Sequence, residues 1–397
     1  MSNLSDGFQC QTLWQGTQVP ESRIVCDFSA QTVSNFLATE TLPQVADTAI
    51  EAPQRNLGSG NAQKVNQGDR VTEAVLVIGG AGYVGSHVAK AVAASGRLPV
   101  VVDNLSGGHR ASVQWGPLEI CDVRDTAQLS AIMAQHKPNA VMHFAASIEV
   151  GIGEREPLAF FDNNVAGTIS VLKAMQANAI TQLVFSSTCA IYGNASPPLL
   201  ETTPKNPASV YGRTKAIVEG IIEDCVRAHG LNAVALRYFN ACGADVDGTI
   251  GEMHDPETHL IPNVLKAACG LGAALNVFGT DYPTPDGTCL RDYIHVTDLA
   301  QGHVQALDLM AQTGGFHAFN LGTGKPLSVL DIIAAVERAT GKTVPHHFGP
   351  RRAGDVAVLT ADVSYARDIL GFKPEFSDVD TIVKSAWAFH QKAWGCR

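Results

Sequence analysis

The sequence predicts an α/β protein built on a doubly wound parallel sheet, with a smaller region toward the C-terminus. Three observations predict it: apolar runs that alternate with helical stretches from Ala74 onward, a glycine-rich turn directly after the first run, and a loss of regularity after about Tyr238. Short, continuously apolar strands between helices indicate a parallel sheet covered on both faces.

The first strand is Ala74–Ile78. It leads into Gly79-Gly80-Ala81-Gly82-Tyr83-Val84-Gly85 and a helix predicted from near Gly82 to Ala94. Gly79 permits the tight turn, Gly82 lets the backbone approach a pyrophosphate, and Gly85 lets helix and strand pack closely. Tyr83 and Val84 open the helix, whose positive N-terminus suits phosphates. This is a Rossmann-type dinucleotide pattern. The second strand, Pro99–Val102, ends in Asp103-Asn104. A carboxylate there can accept from the adenosine ribose hydroxyls and repels a 2′-phosphate, which favours NAD.

Further strands are predicted at Ala140–Phe144, Gln182–Ser186 and Asn232–Tyr238, and helices at Pro157–Ala177 and Tyr211–Ala228. Ser186-Ser187-Thr188 therefore lies at the carboxyl edge of the sheet, where doubly wound folds bind ligands. Tyr211 and Lys215 are four apart and share a helix face. An ammonium near a phenol lowers its pKa from the usual ~10. The phenolate can then take a proton from a sugar hydroxyl as hydride leaves the same carbon, with Thr188 passing or orienting the proton.

The chain has 397 residues, a formal net charge of −10 and no long basic run. Nucleic acid and anionic membrane surfaces are not expected partners. No stretch is apolar for long enough to span a bilayer, and no secretory signal pattern opens the chain. Its nine cysteines are odd in number and form no Cys-x-x-Cys pair. Neither a disulfide framework nor a metal site is expected, and a cytoplasmic location is. Residues 1–72 are rich in Gln, Asn, Ser, Thr and Ala, and are expected to be a disordered extension.

Taken in order, Gly79–Gly85, Asp103-Asn104, His143–Ala146, Asp162–Asn164, Ser186–Thr188, Tyr211–Lys215 and Arg237–Asn240 resemble the extended short-chain dehydrogenase/reductases. Gly279–Thr288, Arg291–Val296 and Arg351–Asp355 narrow the resemblance to UDP-glucose 4-epimerases, from about Val75 to Trp387. The resemblance implies NAD as cofactor. It implies that residues 73–240 form the NAD-binding domain and 241–397 mostly the UDP-sugar-binding region, intertwined with the first.

Asp122 and Val123 would flank the adenine. Phe144, Ala145, Ala146, Asn163, Ser186 and Tyr238 would line the NAD. Asn240, His259, Leu260, Arg291, Arg352 and Asp355 would hold the UDP part, and Leu359 would limit the sugar. Arginine forks suit a diphosphate, although Arg291 and Arg352 could equally pair with Asp292 or Asp355. The implied reaction is C4 oxidation of a UDP-hexose, rotation of the 4-keto sugar and re-reduction. Alternatives are epimerisation of a UDP-pentose or UDP-N-acetylhexosamine, or a non-catalytic NAD sensor. The sequence departs from its relatives at Ile148, where some carry Lys, and at Val150–Gly153, which lacks the usual Glu-Ser. Relatives pair as homodimers through two helices, here Pro157–Ala177 and Tyr211–Ala228.

Overall fold

The computed structural model describes residues 73–352 and 355–396. The expectations for residues 1–72 lie outside the described residues. Six strands form the main sheet in chain order: β1 (Ala74–Ile78), β2 (Leu98–Asp103), β3 (Leu118–Ile120), β4 (Ala140–His143), β5 (Gln182–Thr188) and β6 (Asn232–Tyr238). A seventh, Phe316–Leu321, joins far later in the chain. All pairings are parallel, with the seventh strand beside β6 and then β5, β4, β1, β2 and β3. The strand order reverses between β1 and β4, and this switch point opens a crevice above the carboxyl ends.

The apolar runs explain the layers. Alternate residues of each strand point to opposite faces. Leu76, Ile78, Val100 and Val102 enter one core with Leu129, Val171 and Val218, while Val75 and Val77 enter the other with Val88, Val92, Leu299 and Phe319. The helices α1 (Tyr83–Ala94) and Val296–Met310 cover the second face. The helices α2 (Thr126–His136), Gly167–Ala177 and Val210–His229 cover the first.

The predicted helix Pro157–Ala177 is helical, but residues Phe161–Ala166 form a wider π turn. That turn re-aims Asn163 and Asn164, a use to which π bulges at functional sites are often put. Strand β3 and helix α2 lie in a stretch without strong periodicity. A third core gathers the helices Leu260–Ala268, Val329–Thr340 and Val379–Trp394. Among the described residues, no helix is long and apolar enough to cross a membrane.

Candidate active site

A cavity of about 500 Å³ lies over the switch point. Its floor is the glycine turn. Gly79 adopts φ +81°, and a Cβ there would lie 2.5 Å from the Ala145 amide nitrogen. A Cβ on Gly85 would run into the Gly79 carbonyl oxygen. Gly82 caps α1 in extended conformation with no side chain over the helix end, so the first amides of α1 are free to face an anion. A dinucleotide fits this cradle, because the turn presents backbone and not side chains.

Asp103 ends β2 at the cavity wall. Its carboxylate accepts the amides of Ala81 at 3.0 Å and Leu105 at 2.8 Å. It thereby ties the glycine turn to its own loop and keeps acceptor capacity for a ribose. Asn104 lines the cavity and donates to Asp122 Oδ2 at 3.2 Å. Arg124 grips the Asp122 carboxylate and holds it well below the usual carboxylate range. That side chain is therefore engaged beside the cavity, and its neighbours Cys121 and Val123 form the wall.

At the other end, β5 and the Val210–His229 helix bring the reactive groups together. Ser209 caps that helix by accepting the Gly212 amide, and Tyr211 and Lys215 face the cavity from its first turns. Lys215 Nζ donates to the Ser186 carbonyl at 2.8 Å and lies 6.0 Å from the Tyr211 ring centre. Thr188 Oγ1 accepts the Ala190 amide at 3.2 Å, and the Thr188 side chain stands beside the Tyr211 phenol. Ser186 Oγ and the Tyr238 hydroxyl are in direct hydrogen bond.

Electrostatically the site differs from expectation. Burial pushes the Tyr211 phenol up, with Tyr238 adding to the rise and Thr188 opposing it. Burial also pulls Lys215 down to about 7, against the attraction of Glu219. The expected lowering of the phenol by the ammonium is outweighed, because both groups are stripped of water in one pocket.

Gly79, Gly82, Tyr83, Val84, Gly85, Asp103, Asn104, Val123, Phe144, Ala145, Ala146, Asn163, Ser186, Thr188, Tyr211, Lys215, Tyr238, Asn240 and His259 share this one cavity. Asn240 Oδ1 is buried without a hydrogen-bond partner, an acceptor open to a ligand. Leu260, Arg291, Arg352, Asp355 and Leu359 stand apart from it. Arg291 donates to the Leu290 and Val356 carbonyls at 2.9 Å and lies 3.6 Å from Asp355, which Arg352 also grips. The alternative partner Asp292 is fully buried and accepts the amides of Thr323, Gly324 and Ala361. Leu359 packs against a small core around Ile191, Tyr192 and Leu199.

Sequence reasoning missed the support behind the reactive groups. Glu219, one turn after Lys215, is buried; it accepts from Ser187 Oγ at 2.5 Å and from Arg237 Nη2 at 2.6 Å. Arg237 also donates to the Tyr192 hydroxyl, which in turn donates to Asn320 Oδ1. The only sequence signal was a charged Arg inside an otherwise apolar strand, β6.

A glycine cradle at a switch point, with a buried Tyr–Lys pair across the cavity, defines the class of enzymes that pass hydride between a dinucleotide and an alcohol carbon. Comparisons with known proteins take this further. Residues 75–322 match the profile of the NAD dependent epimerase/dehydratase family. A UDP-glucose 4-epimerase of Rhizobium leguminosarum bv. trifolii is 49% identical over 322 residues, covering 81% of this chain and 98% of its own. The crystal structure of UDP-glucose 4-epimerase from Brucella ovis in complex with NAD is 48% identical with a TM-score of 0.79, covering 82% of this chain and 99% of its own. A UDP-glucose-4-epimerase from Stenotrophomonas maltophila with bound NAD and formylated UDP-arabinopyranose is 39% identical, also at 0.79, with 82% and 99% covered. The chain belongs to the NAD dependent epimerase/dehydratase family, in its UDP-glucose 4-epimerase branch.

Proposed function

We propose that this enzyme interconverts UDP-galactose and UDP-glucose in the cytoplasm, as a homodimer. The observation that carries the reading is the cavity that holds the glycine cradle and Tyr211, Lys215, Ser186 and Thr188 together. NAD, when bound in this cavity, would supply a hydride acceptor. Residues 73–240 form the part that holds it, and residues beyond 240 mostly hold the UDP-sugar.

Tyr211 takes the proton from the sugar O4, and Thr188 orients that hydroxyl. Lys215 holds Ser186 and the wall in place and adds its charge where the phenolate forms. Gly79, Gly82, Tyr83, Val84 and Gly85 cradle the dinucleotide phosphates. Asp103, Asn104, Asp122 and Val123 surround the adenosine, and Phe144, Ala145, Ala146, Asn163, Ser186 and Tyr238 the remainder. Asn240, His259, Leu260, Arg291, Arg352 and Asp355 anchor UDP while the 4-keto sugar turns over. Arg291 and Arg352 exchange Asp355 for the diphosphate when substrate binds.

A second reading is turnover of UDP-pentoses. The UDP-arabinopyranose derivative bound to the Stenotrophomonas relative supports it, and a missing hydroxymethyl group offers little discrimination. The test is conversion of UDP-galactose by the purified protein without added NAD. Turnover supports the reading and shows that the cofactor is retained. Failure with NAD supplied removes it, and turnover of UDP-pentoses alone installs the second reading.

A further inference from the structure

The loop Gly251–His259, which leads into the Leu260–Ala268 helix, brings four ligand-type side chains to one point. Glu252, His254, Glu257 and His259 each aim one donor atom into a group whose members all lie within 4.8 Å of one another. His254 Nδ1 lies 3.2 Å from Glu252 Oε1 and 3.8 Å from Glu257 Oε1, and His259 Nδ1 lies 3.8 Å from Glu257 Oε1. His259 Nδ1 and Glu252 Oε1 touch directly. A tetrahedral ion bound at about 2.0–2.2 Å to each donor sets its ligands roughly 3.4 Å apart, and the longer contacts here bracket that spacing.

Two further observations point to a ligand. His254 Nδ1 is closed off from solvent and faces two carboxylate oxygens, Glu252 Oε1 and Glu257 Oε1. Glu257 Oε1 accepts the amides of Thr258 at 2.8 Å and His259 at 2.9 Å, which fixes its carboxylate as outer contacts fix metal ligands. Two imidazoles and two carboxylates, without thiolate, suit a borderline cation, and the two carboxylates balance a double positive charge.

We propose that Glu252, His254, Glu257 and His259 bind a divalent transition-metal ion of the zinc class. His254 and His259 also line the nucleotide cavity, and the His254 ring meets the Tyr83 ring edge-on at 6.3 Å. The ion fastens the loop across the end of the glycine turn. The rival arrangement is a set of His–Glu ion pairs with protonated imidazoles, so metal binding displaces protons from the cluster.

The test uses the full-length protein after chelator treatment, titrated with Co²⁺ and then Zn²⁺. The expected result is one Co²⁺ per chain with the visible bands of a four-coordinate site, no thiolate charge-transfer band, and displacement by Zn²⁺. His254→Ala and Glu257→Gln each weaken binding by about tenfold or more. An absent or unsaturable signal, a thiolate band, or equal binding by folded variants overturns the proposal and leaves the ion pairs. Should either variant fail to fold, the wild-type spectrum and stoichiometry decide alone. None of these readouts passes through turnover.

Discussion

Tyr211 and Lys215 show how burial sets the chemistry of single residues. Replacing Tyr211 by Phe removes the proton acceptor while leaving the ring. The expected outcome is a loss of turnover of about 10²–10⁴-fold, with NAD still co-purifying; unchanged turnover would remove Tyr211 as the proton acceptor. Lys215 carries a pH signature. Its folded pKa, about 7 through burial, lies below the unfolded value near ~10.4. Between those values the unfolded chain binds the extra proton, so this group makes stability rise with pH across that window. Urea midpoints taken from pH 7 to 10 should climb less steeply in Lys215→Met, and an identical slope would contradict the burial argument.

At the scale of elements, two contacts hold the site in shape. Gly85 packs α1 onto the Gly79 turn, and Gly85→Ala places a methyl against a backbone carbonyl that cannot retreat. We expect a loss of about 1–3 kcal/mol in urea unfolding, together with weaker NAD retention measured on the purified protein. Arg237 joins β6 to the Val210–His229 helix through Glu219. Arg237→Met strands a buried carboxylate and should cost about 3–5 kcal/mol, softened by Lys205, which also reaches Glu219 at 2.8 Å. The elements themselves were unevenly legible. β1 and β6 stand in the sequence as predicted, since the apolar runs Ala74–Ile78 and Ala233–Leu236, bounded by glycine or a loop, leave little ambiguity. β3 was not visible: it is three residues long with Glu119 at its centre. The π turn at Phe161–Ala166 was hidden because its residues keep helical periodicity. The Arg237–Glu219 pair depends on a tertiary contact eighteen residues apart, which no local pattern reveals. The grouping of Glu252, His254, Glu257 and His259 depends on how their loop folds, and no cysteine spacing marks it.

For the whole molecule, substrate anchoring and assembly are the open properties. Arg291→Ala and Arg352→Ala should each raise KM for UDP-galactose by about tenfold or more, the worth of a charged hydrogen bond, with smaller changes in kcat. An unchanged KM would leave both arginines as partners of Asp355 alone. The exposed Leu158 lies on a predicted pairing helix, with exposed Val150 and Ile152 on the short helix just before it, and light scattering at monomer mass would remove the homodimer.

The parallel pairing of Phe316–Leu321 with β6 also governs how the chain is made. Synthesis proceeds at about 5–20 residues per second, so on the order of ten seconds separate the emergence of β6 from that of the strand that covers it. During that interval the nascent sheet presents Asn232–Tyr238 as a bare edge, the kind of surface that recruits other chains. Holdase chaperones should therefore engage ribosome-bound fragments that stop before residue 316 more strongly than those that have passed 321.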